Sequence, residues 1–106
     1  MLFEFREYSC LPGKRDTWVK YMEETIVPFQ TSKGVVILGM WVSETDPDLY
    51  YWLRRFENEA ERVRIYDAVY KSDIWVKEMG PAVGLLIDRT KIKVTRMLPT
   101  PMSVIQ

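Results

Sequence analysis

The 106-residue chain contains no histidine. That absence removes the usual zinc constellations, a proximal histidine for haem, and both the Ser-His-Asp and Cys-His catalytic arrangements. A carboxylate-only metal site would need a short acidic cluster such as DxDxD, and the sequence has none. Neither a metal nor a cofactor is therefore expected. Cysteine is nearly absent: the single Cys10 cannot close an internal disulfide, which favours a reducing, cytoplasmic setting and a thiol serving as a small buried hydrophobe. Net charge is absent too, with 15 basic and 15 acidic side chains, so the electrostatic footprint of a nucleic-acid partner is missing. No run approaches the roughly 20 apolar residues that span a bilayer, and the opening MLFEFREY does not resemble a signal peptide. Membrane insertion is not expected. GxGxxG, P-loop and CxxC motifs are lacking, and PGK at Pro12 to Lys14 is too short to cradle a phosphate.

What the chain has in quantity is aromatic side chains, with four Trp, six Tyr and four Phe. The length suits a single domain, residues 1–106, with one core, so an aromatic load of this size places some rings at an interface or around a cavity. LFEFREYSC, Leu2 to Cys10, alternates as a strand, with Phe3 and Phe5 on one face and Glu4, Arg6 and Tyr8 on the other. Pro12-Gly13 stops it. Trp18, Met22, Ile26 and Phe29 then recur at helical spacing, which predicts a helix against a sheet, kinked or ended near Pro28. VVILGMWVS, Val35 to Ser43, reads as a strand covered on both faces.

YYWLRRFENEAERVRIY, Tyr50 to Tyr66, reads as a strand up to Phe56 that feeds a helix from about Glu59 to Tyr70. Asn58 is the expected cap, with Glu61 reaching back as in a capping box, and Val63, Tyr66, Val69 and Tyr70 are the inward stripe. Asp73 to Met79 suggests a short helix broken by Gly80-Pro81, and GLLID is a short strand or a packed connection. KIKVTRML gives a final strand, and residues 99–106 an extended tail.

The order strand, helix, strand, strand, helix, strand predicts an α+β fold: a ferredoxin-like antiparallel sheet with two helices on one face. The other face would then be bare, carrying Trp41 or Met40, Trp52, Tyr8 and Met97, which favours a homodimer that packs two sheets together around shared cavities.

Glu4, Arg6 and Tyr8 share a face, expected to be the one turned from the helices, and they are the candidate catalytic set. Arg6 would hold an anionic or enolate oxygen, Glu4 would move a proton and Tyr8 would orient an aromatic ligand. The alternative is an interfacial Glu-Arg pair beside a packed Tyr. Trp41, Trp52 and Arg54 are candidate ligand-binding residues; Arg54 and Arg55 point to opposite faces, so only one of them enters a cavity. Asn58, Glu61, Arg62 and Trp75 read as structural, Arg62 through a carboxylate or carbonyl partner and Trp75 as a plug between helix and sheet.

FEFREY at Phe3 to Tyr8, LPGK at Leu11 to Lys14, GMW at Gly39 to Trp41, RFEN at Arg55 to Asn58, AER at Ala60 to Arg62 and SDIW at Ser72 to Trp75 together resemble the NIPSNAP family. The resemblance implies a dimeric α+β barrel, a fold shared with cofactor-independent monooxygenases, haem-binding oxidases and isomerases. Fold does not settle function. Three expectations follow: an uncharacterised homodimer that binds a small aromatic or acidic metabolite between its sheets, a cofactor-independent monooxygenase or isomerase, or a structural or interaction module.

Overall fold

The computed structural model describes all 106 residues. Its strands are β1 (Leu2–Ser9), β2 (Val36–Val42), β3 (Leu49–Phe56) and β4 (Lys93–Met97), arranged β2-β3-β1-β4 with every pair antiparallel. The α+β class and the ferredoxin-like sheet are as expected. The barrel is not. β2 and β4 lie at opposite edges and do not pair, so the sheet stays open rather than closing on itself. The expectation of two helices is corrected as well, because three helical rods cover the sheet.

The first rod joins α1 (Arg15–Tyr21) to α2 (Val27–Ser32) through a π-helical turn at Met22–Ile26. The second is α3 (Glu59–Tyr70), and the third joins a π-helical turn at Trp75–Met79 to α4 (Gly80–Gly84). Both π turns stand just ahead of a proline, Pro28 in one case and Pro81 in the other. In an α ladder the proline ring meets the carbonyl four residues back and has no amide to donate. Widening the turn shifts the bonds by one residue: Val27 N–H donates to Met22 O, and Gly80 N–H to Trp75 O. The third rod thus runs through Pro81, where a break was expected, while the first carries its irregularity just before Pro28 and ends one turn after it.

α3 begins as its sequence predicts. Asn58 Oδ1 accepts from Glu61 N–H at 2.8 Å, and Glu61 Oε1 accepts from the Glu57 N–H at 3.3 Å, one residue earlier than a capping box would place it. Its buried residues are Ile65 and Val69, while Val63 faces solvent.

The two faces of the sheet are the reverse of the expectation. Leu2, Glu4, Arg6 and Tyr8 of β1 stand opposite Phe56, Arg54, Trp52 and Tyr50 of β3, and this shared face lies under the helices. There Trp18, Met22 and Ile26 pack on Tyr8, Tyr50 and Trp52, while Ile65 and Val69 pack on Phe56 and Val35. Phe3 and Phe5 occupy the helix-free face. The alternation of β1 was legible but its direction was not, since both faces carry aromatic rings.

On the helix-free face Phe5 stacks on Tyr51 with ring centroids 5.8 Å apart, and Trp41 completes a shallow apolar depression. The Trp41 ring lies over Gly39; a Cβ there would come within 2.4 Å of it. Residues 98–106 fold back across the other end of the face, where Leu98 and Ile105 approach Phe3 and Leu53 and Arg55 Nη1 donates to Gln106 O at 2.9 Å. β2 was expected to be covered on both sides, yet Met40, Trp41 and Val42 are exposed in a single chain.

Candidate functional site

Across the helix-covered face runs a buried polar network centred on Arg54, whose side chain is fully inaccessible. Its Nη2 donates to Glu4 Oε1 and to Tyr66 Oη, both at 2.7 Å, and its Nη1 donates to Gln30 Oε1 and Tyr70 Oη, both at 2.9 Å. Tyr66 passes its own hydrogen to Glu4. Arg6 joins through Nε to Tyr8 Oη at 2.9 Å and through Nη1 to Tyr66 Oη at 2.7 Å. A buried guanidinium is tolerated only when its donors are met. Here one carboxylate, three phenols and one amide oxygen serve two arginines, leaving Arg54 Nε and Arg6 Nη2 without a partner in the protein.

Burial would raise the Glu4 carboxyl, but the Arg54 charge, hydrogen bonds from Arg54 and Tyr66, and the Arg6 charge outweigh it and hold Glu4 below the ordinary carboxylate range. Burial also disfavours the Arg6 cation, yet Tyr8, Tyr70, Tyr66 and Glu4 around it lift its pKa above the usual arginine value. Burial pushes the Tyr8, Tyr50 and Tyr66 phenols up. Near neutrality this leaves an ionised carboxylate, charged arginines and protonated phenols.

Beside the network lies a cavity of about 220 Å³ between the sheet and the helices. Trp18, Met22 and Ile26 of the first rod form one wall, and Tyr8 and Trp52 of the sheet form the floor. Trp75 and Val83 of the third rod, with Ile87 and Ile92 beyond it, close the far side. Ten of its 13 lining residues are hydrophobic; the polar ones are Arg6, Gln30 and Arg89. No group of carboxylate or thiol side chains gathers where it would hold a metal ion.

The candidate residues are thus partly brought together. Glu4, Arg6, Tyr8, Trp52 and Arg54 share the helix-covered face, with Arg6, Tyr8 and Trp52 lining the cavity. Trp75 also lines it and meets Tyr70 edge to face at 4.8 Å. Trp41 is on the opposite face, 49% exposed. Arg62 lies at the margin of the network, paired with Glu59 through Nε and Nη2 at 3.0 and 2.6 Å and 3.8 Å from Glu4. Asn58 and Glu61 act at the helix cap, away from the cavity.

Residues that sequence reasoning left out of the site are Gln30, Tyr66, Tyr70 and Arg89. Gln30 carried a readable signal: Trp18, Met22, Ile26 and Gln30 are spaced by four, and all are buried. Arg89 sits in a stretch with no regular period, beside the third rod, where its Nη2 donates to Gly80 O.

The family model for NIPSNAP matches residues 3–103. The chain belongs to the NIPSNAP family. Among solved structures, a NIPSNAP family protein of unknown function from Agrobacterium tumefaciens superposes with a TM-score of 0.89 at 20% identity, covering 100% of this chain and 94% of the other. An uncharacterised NIPSNAP domain protein from Burkholderia xenovorans gives 0.85 at 14% identity, covering 97% and 98%. An antibiotic biosynthesis monooxygenase gives 0.69 at 16% identity, covering 95% and 100%. No curated protein sequence matches the chain. These likenesses establish a common fold; the NIPSNAP cavity must be interpreted from its own side chains.

Proposed function

We propose that this NIPSNAP protein is a homodimeric cytoplasmic binding protein for a small, largely apolar metabolite, held within each subunit between the sheet and the helices. The observation that carries the reading is the cavity beside Arg6, whose walls are apolar apart from Arg6 of the sheet, Gln30 of the first rod and Arg89 beside the third. Its 220 Å³ exceeds the roughly 150 Å³ that accepts benzene in an apolar protein interior. A single substituted ring matches that volume. The single free thiol supports a reducing compartment.

The homodimer rests on the helix-free face. Trp41, Met97 and Val36 are exposed there beside the Phe5 and Tyr51 stack, an apolar patch broad enough to favour a second copy over water. The proposed ligand cavity lies on the other side of the sheet, so dimerisation leaves it in place.

The fold shared with the monooxygenase supports a catalytic alternative, in which an electron-rich substrate reacts in the cavity with dioxygen or isomerises. The protonation states favour binding. Glu4 is ionised but fully engaged by Arg54, Tyr66 and Arg6, and the raised phenols hold their protons, so no free general base faces the cavity.

Tryptophan fluorescence tests the reading, because Trp18, Trp52 and Trp75 line the cavity. Titration with monocyclic aromatics should give a saturable change in the native protein and none in Val83→Trp, where the new ring fills the space. Equal responses in both would overturn it. Ligand-dependent oxygen uptake or product formation would favour the catalytic alternative.

A further inference from the structure

The hydrogen-bond inventory of the cavity is one-sided. Its side-chain acceptors are each engaged once by an arginine: Tyr8 Oη receives Arg6 Nε, while Gln30 Oε1 and Tyr70 Oη receive Arg54 Nη1. The donors are not. Trp18 Nε1, Trp52 Nε1 and Gln30 Nε2 are buried without a partner in the protein, and their residues are each 1% exposed. The Tyr8 hydroxyl accepts from Arg6 and donates to nothing, and Arg6 uses Nε and Nη1 but not Nη2. All of these side chains line the same cavity.

Native interiors rarely leave one buried donor unmet, and each costs about 1–3 kcal/mol when they do. Three of the five such groups, all but Tyr50 Oη and Arg54 Nε, belong to side chains that line this one cavity. Charge points the same way: within the network two guanidiniums, buried Arg54 and part-buried Arg6, face the one carboxylate of Glu4. The surplus positive charge lies with Arg6, which lines the cavity.

We infer that the cavity is selective for anionic, acceptor-only ligands, namely a single aromatic or apolar ring bearing a carboxylate or enolate oxygen, with Arg6 and the indole N–H groups of Trp18 and Trp52 as its donors. This rests on the binding reading above and narrows it. A neutral amide or alcohol of the same shape brings hydrogens whose side-chain acceptors here are already shared with Arg6 or Arg54. A carboxylate accepts from every arm that remains and supplies the missing negative charge.

The test compares benzoate, benzamide, benzyl alcohol and toluene on the intact protein at neutral pH, by tryptophan fluorescence and by the shift in melting temperature. Benzoate is expected to bind at least about tenfold more tightly than benzamide or benzyl alcohol. Arg6→Met, which keeps the length of the side chain, is expected to abolish that preference while toluene binding persists. If the neutral compounds bind as tightly as benzoate, the selectivity is overturned and the cavity reading stands. If none of the four binds, both fall. Should Arg6→Met not fold, the comparison of benzoate with benzamide on the native protein decides the question alone.

Discussion

Arg54 of β3 and Glu4 of β1 stand directly opposite each other in the sheet, with Nη2 of the arginine 2.7 Å from Oε1 of the glutamate and both side chains buried. Removing one partner strands the other. Arg54→Met is expected to cost about 3–5 kcal/mol of stability in urea denaturation, whereas the paired change Glu4→Leu with Arg54→Met recovers a large part of that loss. A single variant as stable as the native protein would show that the pair does not organise the core.

The same pair sets the response to acid. Glu4 titrates below its ordinary value of 4.5 in the folded state, so the unfolded chain takes up the proton first as pH falls. Its contribution is therefore present above about pH 4.5 and lost as pH drops through the folded pKa. Exposed Glu59, lowered to about 2 by hydrogen bonds from Arg62 and Arg96, acts in the same direction. Urea midpoints measured between pH 6 and pH 3 should fall in the native protein and fall less in Glu4→Gln; parallel curves would refute the assignment.

At alkaline pH the sign reverses. Burial keeps Tyr8, Tyr50 and Tyr66 protonated above the usual 10.0, so the unfolded chain ionises first and stability declines as pH rises beyond that value. Absorbance near 295 nm should show Tyr8, Tyr50 and Tyr66 ionising only above the usual tyrosine range, together with unfolding. Complete ionisation of all six tyrosines near the usual 10.0 in the folded protein would contradict the buried network.

Trp41 is half exposed on the helix-free face, so Trp41→Lys leaves the helix-covered core untouched. Sedimentation is expected to show the native chain as a dimer at micromolar concentration and Trp41→Lys weakened by roughly tenfold or more, with unchanged melting of the subunit. A native chain that sediments as a monomer would remove the dimer.

How much of this was legible depends on which physical quantity is periodic. The order of the four strands, the start of α3 at Asn58 and the inward Trp18, Met22 and Ile26 follow from alternation, capping and helical spacing, and all are local. The direction each face takes is not local. Glu4, Arg6 and Tyr8 share a face by pleating, but only the Tyr66, Tyr70 and Gln30 groups brought over them by the helices make that face the buried one. Propensity also misjudged Pro81, because the π turn ahead of it removes the clash that would have broken the helix. Barrel closure failed for a related reason: nothing in the pattern of β2 or β4 states that two edges will meet.

The most direct measurement is the set of nuclear Overhauser contacts between the ring protons of bound benzoate and protein protons. Cavity binding predicts contacts to Ile26, Val83 and Ile87 and to the indole N–H of Trp52. Contacts instead to Trp41, Phe5 and Tyr51 would place the ligand on the helix-free face and contradict the account.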